Sequence, residues 1–239
     1  MTRFLHFTLG APLAALGDVA VGERRYGTGR PAKSAIVGLL GAALGIDRHD
    51  EPAHRGLDEG LAMATLARTP GRFMTDYHTA QMPPARTGRR RGDTWPTRRA
   101  ELAEHDLKTV LSWRDYLQDA AFEIVLWRRA ASGLTLEALG EALIRPRFTL
   151  YLGRKSCPLG RPPQPHGLDC ETLPAAFGEP DRVIHADVEA QTLLGPTWQV
   201  LRRHRRRDRI HERRRWMFAL RDELVLAPIA ASADAGEPA

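Results

Sequence analysis

The spacing of apolar residues predicts short strands that alternate with helices. Residues 4–9 are bulky and partly alternating, as in a strand, and further strands are predicted at 72–79, 120–127, 148–152 and 182–188. From 34 to 45 the apolar positions follow helical spacing, and Gly45 suits the helix end. A second helix is predicted over 134–144, with Thr135 near its start and Pro146 after its end. Residues 56–68 fit a short helix that passes into a strand, which the pattern alone does not decide.

This order of elements predicts an α+β fold. Strand, helix and strand are followed by a polar excursion and then by strand, helix and strand again, which is typical of a ferredoxin-like, RRM-related domain. Hydrophobic residues make up 43% of the chain, which is enough for a core. We predict that residues 1–79 and 113–160 form this domain, around an insertion at 80–112. Residues 161–229 are predicted to be a smaller β-rich C-terminal extension, and 230–239 a disordered tail.

The charge of the chain favours an anionic partner. The formal net charge is +6 and the pI is near 9.9, and only three of the 35 basic residues are Lys. No apolar run is long enough for a membrane span, and the apolar start is too short for a signal peptide, so we expect a cytoplasmic protein without membrane contact. Cys157, Cys170 and His166 lack a fourth metal ligand, so we predict reduced thiols and neither a metal nor another cofactor.

The loop and helix start around residues 24–34 form a candidate phosphate site. Pro31 suits a first helical turn, and the free N–H groups of a helix start attract phosphate. The spacing resembles a P-loop, but Ala32 replaces its second glycine, Pro31 removes an N–H group and no buried strand precedes it, so nucleotide hydrolysis is not predicted. A core helix with a basic cap remains an alternative. The candidate residues are Arg24, Arg25, Arg30, Lys33 and Ser34.

Two further stretches are dense in arginine. Residues 80–99 contain six Arg and three Pro and almost no apolar residue to bury. They fit either a disordered, solvated loop or a basic arm that becomes ordered on a nucleic-acid backbone, with Trp95 available for stacking. Residues 202–215 contain nine Arg, which fits either a solvated loop or helix face or the lining of a nucleic-acid path.

Ordered motifs over residues 4–160 resemble the CasD family, the type I-E members of the fifth Cas protein family and subunits of the CRISPR Cascade complex. The motifs are FTLGAPLAALG at 7–17, PAKSAIVGLLGAALGIDR at 31–48, DYHT at 76–79, WRDYL at 113–117 and PRFTLYLGRKSCPL at 146–159. Two positions depart from the family pattern, since Leu16 replaces the usual Trp and Ala32 the usual Thr.

The resemblance implies a non-catalytic RNA-binding subunit in antiviral defence. By analogy, the insertion at 80–112 is a thumb that folds over the guide RNA, and the protein binds the 5′ handle of crRNA and caps that end of the complex. It would contact the Cascade backbone subunit and the large subunit, and target DNA indirectly. The RNA-binding residues expected from the sequence and the resemblance are Arg24, Arg25, Arg30, Lys33, Ser34, His78, Arg89, Arg90, Arg91, Trp113, Arg114, Tyr116, Arg147, Tyr151, Arg154, Lys155 and Ser156.

Two other functions fit the same residues. A metal-independent endoribonuclease that processes CRISPR repeat RNA would need an acid, a base and a cation, and His78, Tyr77, Tyr116 and Lys155 are of the right types. A pure interaction protein would instead direct its arginine clusters at acidic protein surfaces. Crosslinking to crRNA would separate the binding function from this third one.

Overall fold

The computed structural model describes residues 1–17, 20, 22–83, 95–103, 106–129, 133, 135–213 and 215–229. Arg89, Arg90 and Arg91 of the predicted insertion lie outside this part, as does the predicted tail at 230–239. In the described residues no helix has the length and apolar character needed to cross a membrane.

The fold is a mixture of helices with one large, mainly antiparallel sheet. The strands are β1 (Thr2–Ala14), β2 (Arg24–Arg25), β3 (Leu61–Thr69), β4 (Arg72–Met82), β5 (Lys108–Arg128), β6 (His166–Cys170), β7 (Ile184–Asp187), β8 (Trp198–Glu212) and β9 (Met217–Pro228). The helices are α1 (Lys33–Leu44), α2 (Glu51–Gly60), α3 (Arg98–Leu102) and α4 (Leu136–Ile144), with short 3-10 helices at Ala175–Phe177 and Val188–Leu193. The strand order is β6-β1-β5-β3-β7-β9-β8, and β2 and β4 both pair with β5.

Both faces of the sheet are buried in its centre. Side chains alternate along a strand, so Phe7 and Phe122 belong to the cluster formed with α1 and α4. Phe4 and Trp127 point to the opposite face and join a second cluster with Phe177 and other C-terminal residues. Burial on both faces explains why the sequence at 120–127 is apolar except for Glu123, whose carboxylate contacts His6 and Arg68.

The two predicted helices are confirmed. Gly45 ends α1 in the left-handed conformation, with φ of 78°, and the Thr135 hydroxyl caps α4 by accepting a hydrogen bond from the Ala138 N–H at 3.2 Å. Pro31 is not in the first turn, because Ala32 is the N-cap and α1 begins at Lys33. The undecided stretch at 56–68 proves to be the end of α2 followed by β3.

The predicted strand at 148–152 is wrong. This segment makes a single isolated bridge, between Tyr151 and Pro158, and its first N–H groups go to a helix instead. The Arg147 and Phe148 N–H groups donate to the carbonyls of Ala43 and Ala42 at 2.9 and 3.1 Å. The segment therefore bonds carbonyl groups in the last turn of α1, and it shares the Ala42 carbonyl with the Gly45 N–H.

The C-terminal residues complete the same sheet. β6 pairs with β1, and β7 pairs with β3 and with β9, so strands from 161–229 border both sides of the N-terminal ones. The strand predicted at 182–188 is confirmed as β7. The arginine-rich run at 202–215 is neither loop nor helix over most of its length, because it forms β8.

Candidate nucleic-acid interface

A two-stranded ribbon extends from the sheet. The first half of β5, from Lys108 to Gln118, pairs with β4. The second half pairs with β1 from Leu117 onward and with β3 from Ala121 onward. We call residues 72–83, 95–103 and 106–118 the arm, which includes α3. Several large apolar side chains on it are exposed, and such side chains mark interaction surfaces. They are Phe73, Tyr77, Met82, Leu102, Val110 and Trp113.

Strand register brings four predicted residues together where the arm leaves the sheet. β2 runs parallel to β5, with Arg24 opposite Trp113 and Arg25 opposite Arg114. The Trp113 N–H fixes this register by donating to the Glu23 carbonyl at 3.1 Å. We call these four residues, Arg24, Arg25, Trp113 and Arg114, the arm base.

Aromatic rings accompany the cations of the arm base. The Trp113 ring lies 5.3 Å from that of Tyr77 across the ribbon, and the Arg24 guanidinium lies 4.9 Å from the centre of the Tyr26 ring. Exposed aromatic faces beside guanidinium groups can stack bases while the cations contact phosphates.

His78 lies on the arm strand β4, opposite Ser112. Its Nε2 atom is 2.5 Å from Asp76 Oδ2, and both side chains are partly exposed. An imidazole this close to a carboxylate can serve either RNA contact or proton transfer.

The basic turn at 153–156 is held tightly against the end of β1. The Ala15 N–H donates to the Leu152 carbonyl at 2.9 Å, and Gly153 has φ of 86°. A Cβ atom on Gly153 would lie 1.9 Å from the Ala15 carbonyl oxygen, so only glycine fits here. Lys155 and Ser156 are exposed by this turn.

Arg154 connects the basic turn to the arm strand β5. Its Nη1 atom donates to the Tyr116 hydroxyl at 2.6 Å, and its guanidinium lies 4.9 Å from the centre of the Tyr116 ring. Tyr116 is almost fully buried and follows Arg114 by two residues. The basic turn and the arm base are thus neighbours through one contact, and Tyr116 positions Arg154.

Lys33 does not have the role predicted for it. Its side chain is 3% exposed, and its Nζ atom donates to Asp187 Oδ2 at 2.8 Å and to the Leu61 carbonyl at 2.9 Å. Its backbone N–H donates to Asp208 Oδ2 at 2.9 Å. Carboxylates of the protein therefore occupy the start of α1, and the Lys33 side chain is not available to a phosphate.

Arg30 also faces inward. Its Nη2 atom donates to Glu223, whose side chain is buried, and burial together with the charges of Arg206 and Arg221 lowers the Arg30 pKa to about 10. Arg221 in turn pairs with Asp208 and Asp187. The candidate phosphate site at the start of α1 is thus an internal ion-pair network.

Side chains of β8 divide between this network and the surface. Arg206 and Asp208 point inward, whereas the alternate positions Arg203, Arg205, Arg207 and Arg209 are exposed. Asp222 pairs with Arg203 at 2.5 Å and with Arg205 at 3.8 Å, which reduces the local positive charge.

A groove of about 560 Å³ runs along the exposed side of α1. Ser34 and Tyr151 of the predicted set line it, together with small residues of α1 and with the turn between β8 and β9. Arg147 is exposed beside the end of α1, where its side chain approaches Gly45. Sequence reasoning missed Arg213 and Trp216, which also line the groove; the signal available was an aromatic residue directly after the arginine run.

Comparison with known proteins agrees with the sequence motifs. The family described as CRISPR-associated protein (Cas_Cas5) matches residues 4–223. The CRISPR system Cascade subunit CasD of Escherichia coli (strain K12) is 34% identical over 174 residues, which cover 68% of this chain and 70% of the relative.

Solved structures agree in fold. A chain of a CRISPR RNA-guided surveillance complex, 20% identical, covers 95% of this chain and 91% of its own length with a TM-score of 0.62. A Cas protein in a crystal structure, 26% identical, covers 92% and 94% with a TM-score of 0.60. The resemblance inferred from the motifs is confirmed, and the chain belongs to the Cas5 family of CRISPR-associated proteins.

Proposed function

We propose that this protein is a non-catalytic Cascade subunit that binds the 5′ handle of crRNA and caps that end of the complex. Its relative from Escherichia coli is named as a Cascade subunit, and the two chains match over more than two thirds of each. In this role it contacts the backbone subunit and the large subunit, and target DNA only indirectly.

The observation that carries the proposal is the register between β2 and β5. It gathers Arg24, Arg25, Trp113 and Arg114 from two parts of the chain at the base of an exposed arm. The contact from Arg154 to Tyr116 adds the basic turn to the same region. Cations, aromatic faces and exposed backbone are the groups that recognise single-stranded RNA, and none of them needs a perturbed pKa.

Strand order supports the finer description of the fold. Along the chain the elements β1, α1, β3, β5, α4 and β6 follow the β-α-β-β-α-β order of ferredoxin-like domains. In the sheet these four strands lie in the order β6-β1-β5-β3, so the fourth strand lies beside the first and the third lies between the first and the second. The arm occupies the connection between β3 and β5 in this scheme. We propose that it is the thumb that closes over the RNA.

The contact between His78 and Asp76 is the one observation that favours the alternative, a metal-independent endoribonuclease. The pair supplies one imidazole, whereas this reaction needs a base, an acid and a cation for the scissile phosphate. Purified protein should therefore bind repeat RNA without cutting it, with or without divalent metal. Specific cleavage that His78→Ala abolishes would establish the enzyme instead.

The direct test is binding and crosslinking of a repeat-derived handle RNA to the full chain. Arg24→Gln and Arg114→Gln should each weaken binding several-fold and lower the salt slope by about one unit per lost phosphate contact. Arg55→Gln on the exposed face of α2 is the matched control, since it removes the same charge elsewhere. Equal effects of all three variants, or no crosslink from the wild type, would reject the proposal.

A further inference from the structure

Two arginines share one tryptophan at the turn between β8 and β9. The Arg48 guanidinium lies 4.7 Å from the centre of the Trp216 ring, and the Arg213 guanidinium lies 5.7 Å from it. Arg48 follows α1 and Arg213 directly follows β8, so the fold brings two like charges from distant parts of the chain to one aromatic residue. We call Arg48, Arg213 and Trp216 the Trp216 cluster.

Arg213 differs from the inward-facing arginines of the fold. Arg129 and Arg221 each pair with buried Asp187, and Arg30 pairs with Glu223. Within the described ranges the Arg213 guanidinium makes no ion pair or hydrogen bond, and its Nε atom is buried. Burial and then the charge of Arg48 lower the pKa of Arg213.

Arg213 and Trp216 of the cluster line the groove along α1, and Arg48 adjoins it through its contact with the Trp216 ring. The groove holds about 560 Å³, a volume typical of sites for nucleotide-sized ligands. Ala35, Leu39 and Ala42 give it an apolar wall, and Tyr151 stands beside it. A ligand in the groove would meet an apolar surface, aromatic rings and the Arg213 guanidinium, with the Arg48 guanidinium next to the Trp216 ring.

Gly38 makes room for this arrangement. A Cβ atom at Gly38 would lie 2.9 Å from Arg213 Nη2 and 3.4 Å from Nη1, so the guanidinium lies directly on the helix surface. Trp216 is held in a left-handed conformation, with φ of 55°, which is uncommon for a bulky residue. Both features hold the guanidinium and the ring at the groove.

We propose that the Trp216 cluster binds a phosphate group of a nucleotide whose base or sugar lies in the groove along α1. A phosphate would offset the repulsion between Arg48 and Arg213 and would accept hydrogen bonds from their planar N–H groups. The inference rests on the proposed function for the source of the phosphate, which is the bound RNA chain. It extends the RNA contact from Tyr151 to the turn between β8 and β9.

The test measures RNA binding by the full chain as a function of salt. Arg213→Gln and Arg48→Gln should each weaken binding of handle RNA at least fivefold and lower the salt slope by about one unit. The control is Arg215→Gln, which removes the same charge from the same turn, where Arg215 is exposed and pairs with Glu212 at 3.2 Å; it should change binding less than twofold. Equal effects of Arg213→Gln and Arg215→Gln would overturn the proposal.

Gly38→Ala separates geometry from charge. The added methyl group displaces the flexible end of Arg213 and leaves the net charge unchanged, so RNA binding should weaken while far-UV spectra and thermal unfolding stay as in the wild type. Unchanged binding by this variant together with unchanged binding by Arg213→Gln would place the guanidinium outside the RNA contact.

A second probe identifies the ligand independently of RNA. Adenosine monophosphate and inorganic phosphate are titrated while tryptophan fluorescence is recorded, with Trp216→Phe to assign the signal. A nucleotide-dependent change that Arg213→Gln abolishes supports the site. If the wild type shows this change but binds no RNA, the proposed function is wrong and the site stands. RNA binding that persists in all variants, without a nucleotide response, would refute the site and leave the proposed function standing.

Discussion

Lys33 Nζ lies 2.8 Å from Asp187 Oδ2, and both side chains are almost fully buried between α1 and the sheet. Asp187 also accepts hydrogen bonds from Arg129 at 3.0 Å and from Arg221 at 2.8 Å. One carboxylate therefore contacts three cations that come from distant parts of the chain, and Arg129 and Arg221 also pair with other carboxylates. This makes Asp187 the central residue of the network that joins α1 to β7 and β9.

Loss of the Asp187 charge should be severely destabilising. Asp187→Asn leaves three buried or partly buried cations without their shared carboxylate, and breaking a buried pair in this way costs about 3–5 kcal/mol. Lys33→Met should cost less, about 1–3 kcal/mol, because Asp187 keeps Arg129 and Arg221. Urea unfolding measures both, with exposed Asp181→Asn as the control.

The order of these two variants is the decisive result. A larger loss of stability for Lys33→Met than for Asp187→Asn would show that the network does not centre on Asp187. Folded Lys33→Met should bind handle RNA like the wild type, because the ammonium group does not reach the surface.

The sequence was sufficient to predict α1 but not the use of its first residue. Apolar spacing and Gly45 are local signals, and both led to the observed helix. The partners of Lys33 are 154 and 175 residues away, at Asp187 and Asp208. A basic residue at a helix start looks the same in sequence whether it meets a phosphate or a buried carboxylate.

A similar limit explains the wrong strand at 148–152. Its alternating apolar residues are buried at Leu150 and Leu152, as the pattern indicated. Its backbone groups, however, bond to the end of α1 and within the turn, where the Leu152 N–H donates to the Cys157 carbonyl at 2.9 Å. Burial pattern predicts which side chains point inward, but hydrogen-bond partners from elsewhere decide whether a segment becomes a strand.

His185 should make the stability of the protein dependent on pH. Burial, and then the charge of Arg30, lower its pKa from 6.5 to about 3, although Glu223 lies 3.8 Å away, because that carboxylate is shared with Arg30. Below pH 6.5 the unfolded chain therefore binds a proton that the folded chain does not. Stability should fall as the pH decreases from 6.5 toward 3, with a contribution of about 1.4 kcal/mol per pH unit.

Urea unfolding of wild type and His185→Gln at pH 7 and pH 5 tests this contribution. The wild type should lose more stability between the two pH values than the variant does. His49→Gln is the control, because His49 is exposed and should leave the pH dependence unchanged. Equal pH dependence of the wild type and His185→Gln would mean that His185 titrates alike in the folded and unfolded states.

The basic turn should supply phosphate contacts of two kinds. Lys155 is exposed and unrestrained, whereas Arg154 is positioned by Tyr116. Lys155→Ala should lower the salt slope of RNA binding by about one unit. Tyr116→Phe keeps the ring but removes the hydrogen bond, and it should weaken RNA binding by a smaller factor than Arg154→Ala does. If Tyr116→Phe has no effect while Arg154→Ala has a large one, Tyr116 does not position the arginine.

The sequence predicted all four residues of the arm base but not their arrangement. Arg24 and Trp113 are both within recognisable motifs, yet their pairing depends on two-residue strand β2, which has no periodicity to read. The motif WRDYL also contains residues with two different environments, since Trp113 is exposed and Tyr116 is buried. Alternation along β5 separates these roles once the register is known.

The arm offers the sharpest test of the proposed function. Replacement of residues 83–97 by a short Gly/Ser linker keeps the full β4–β5 ladder and removes no residue of either core cluster, so the protein should fold with nearly unchanged thermal unfolding. The replacement also removes four of the six Arg in the excursion at 80–99, and with them cations proposed to contact the RNA backbone. We therefore expect much weaker binding of handle RNA or failure to assemble with the other Cascade subunits.

A charge-matched control separates the contribution of the sequence at 83–97 from that of its positive charge. A second linker of the same length that carries four Arg between Gly and Ser should restore part of the electrostatic attraction, but not the stacking that Trp95 is predicted to supply. Binding is compared at several salt concentrations, since long-range attraction is lost in high salt whereas stacking persists. If the plain linker variant binds handle RNA and assembles like the wild type, residues 83–97 do not close over the RNA, and RNA contact must depend on the retained β4–β5 ribbon with the arm base and on the basic turn.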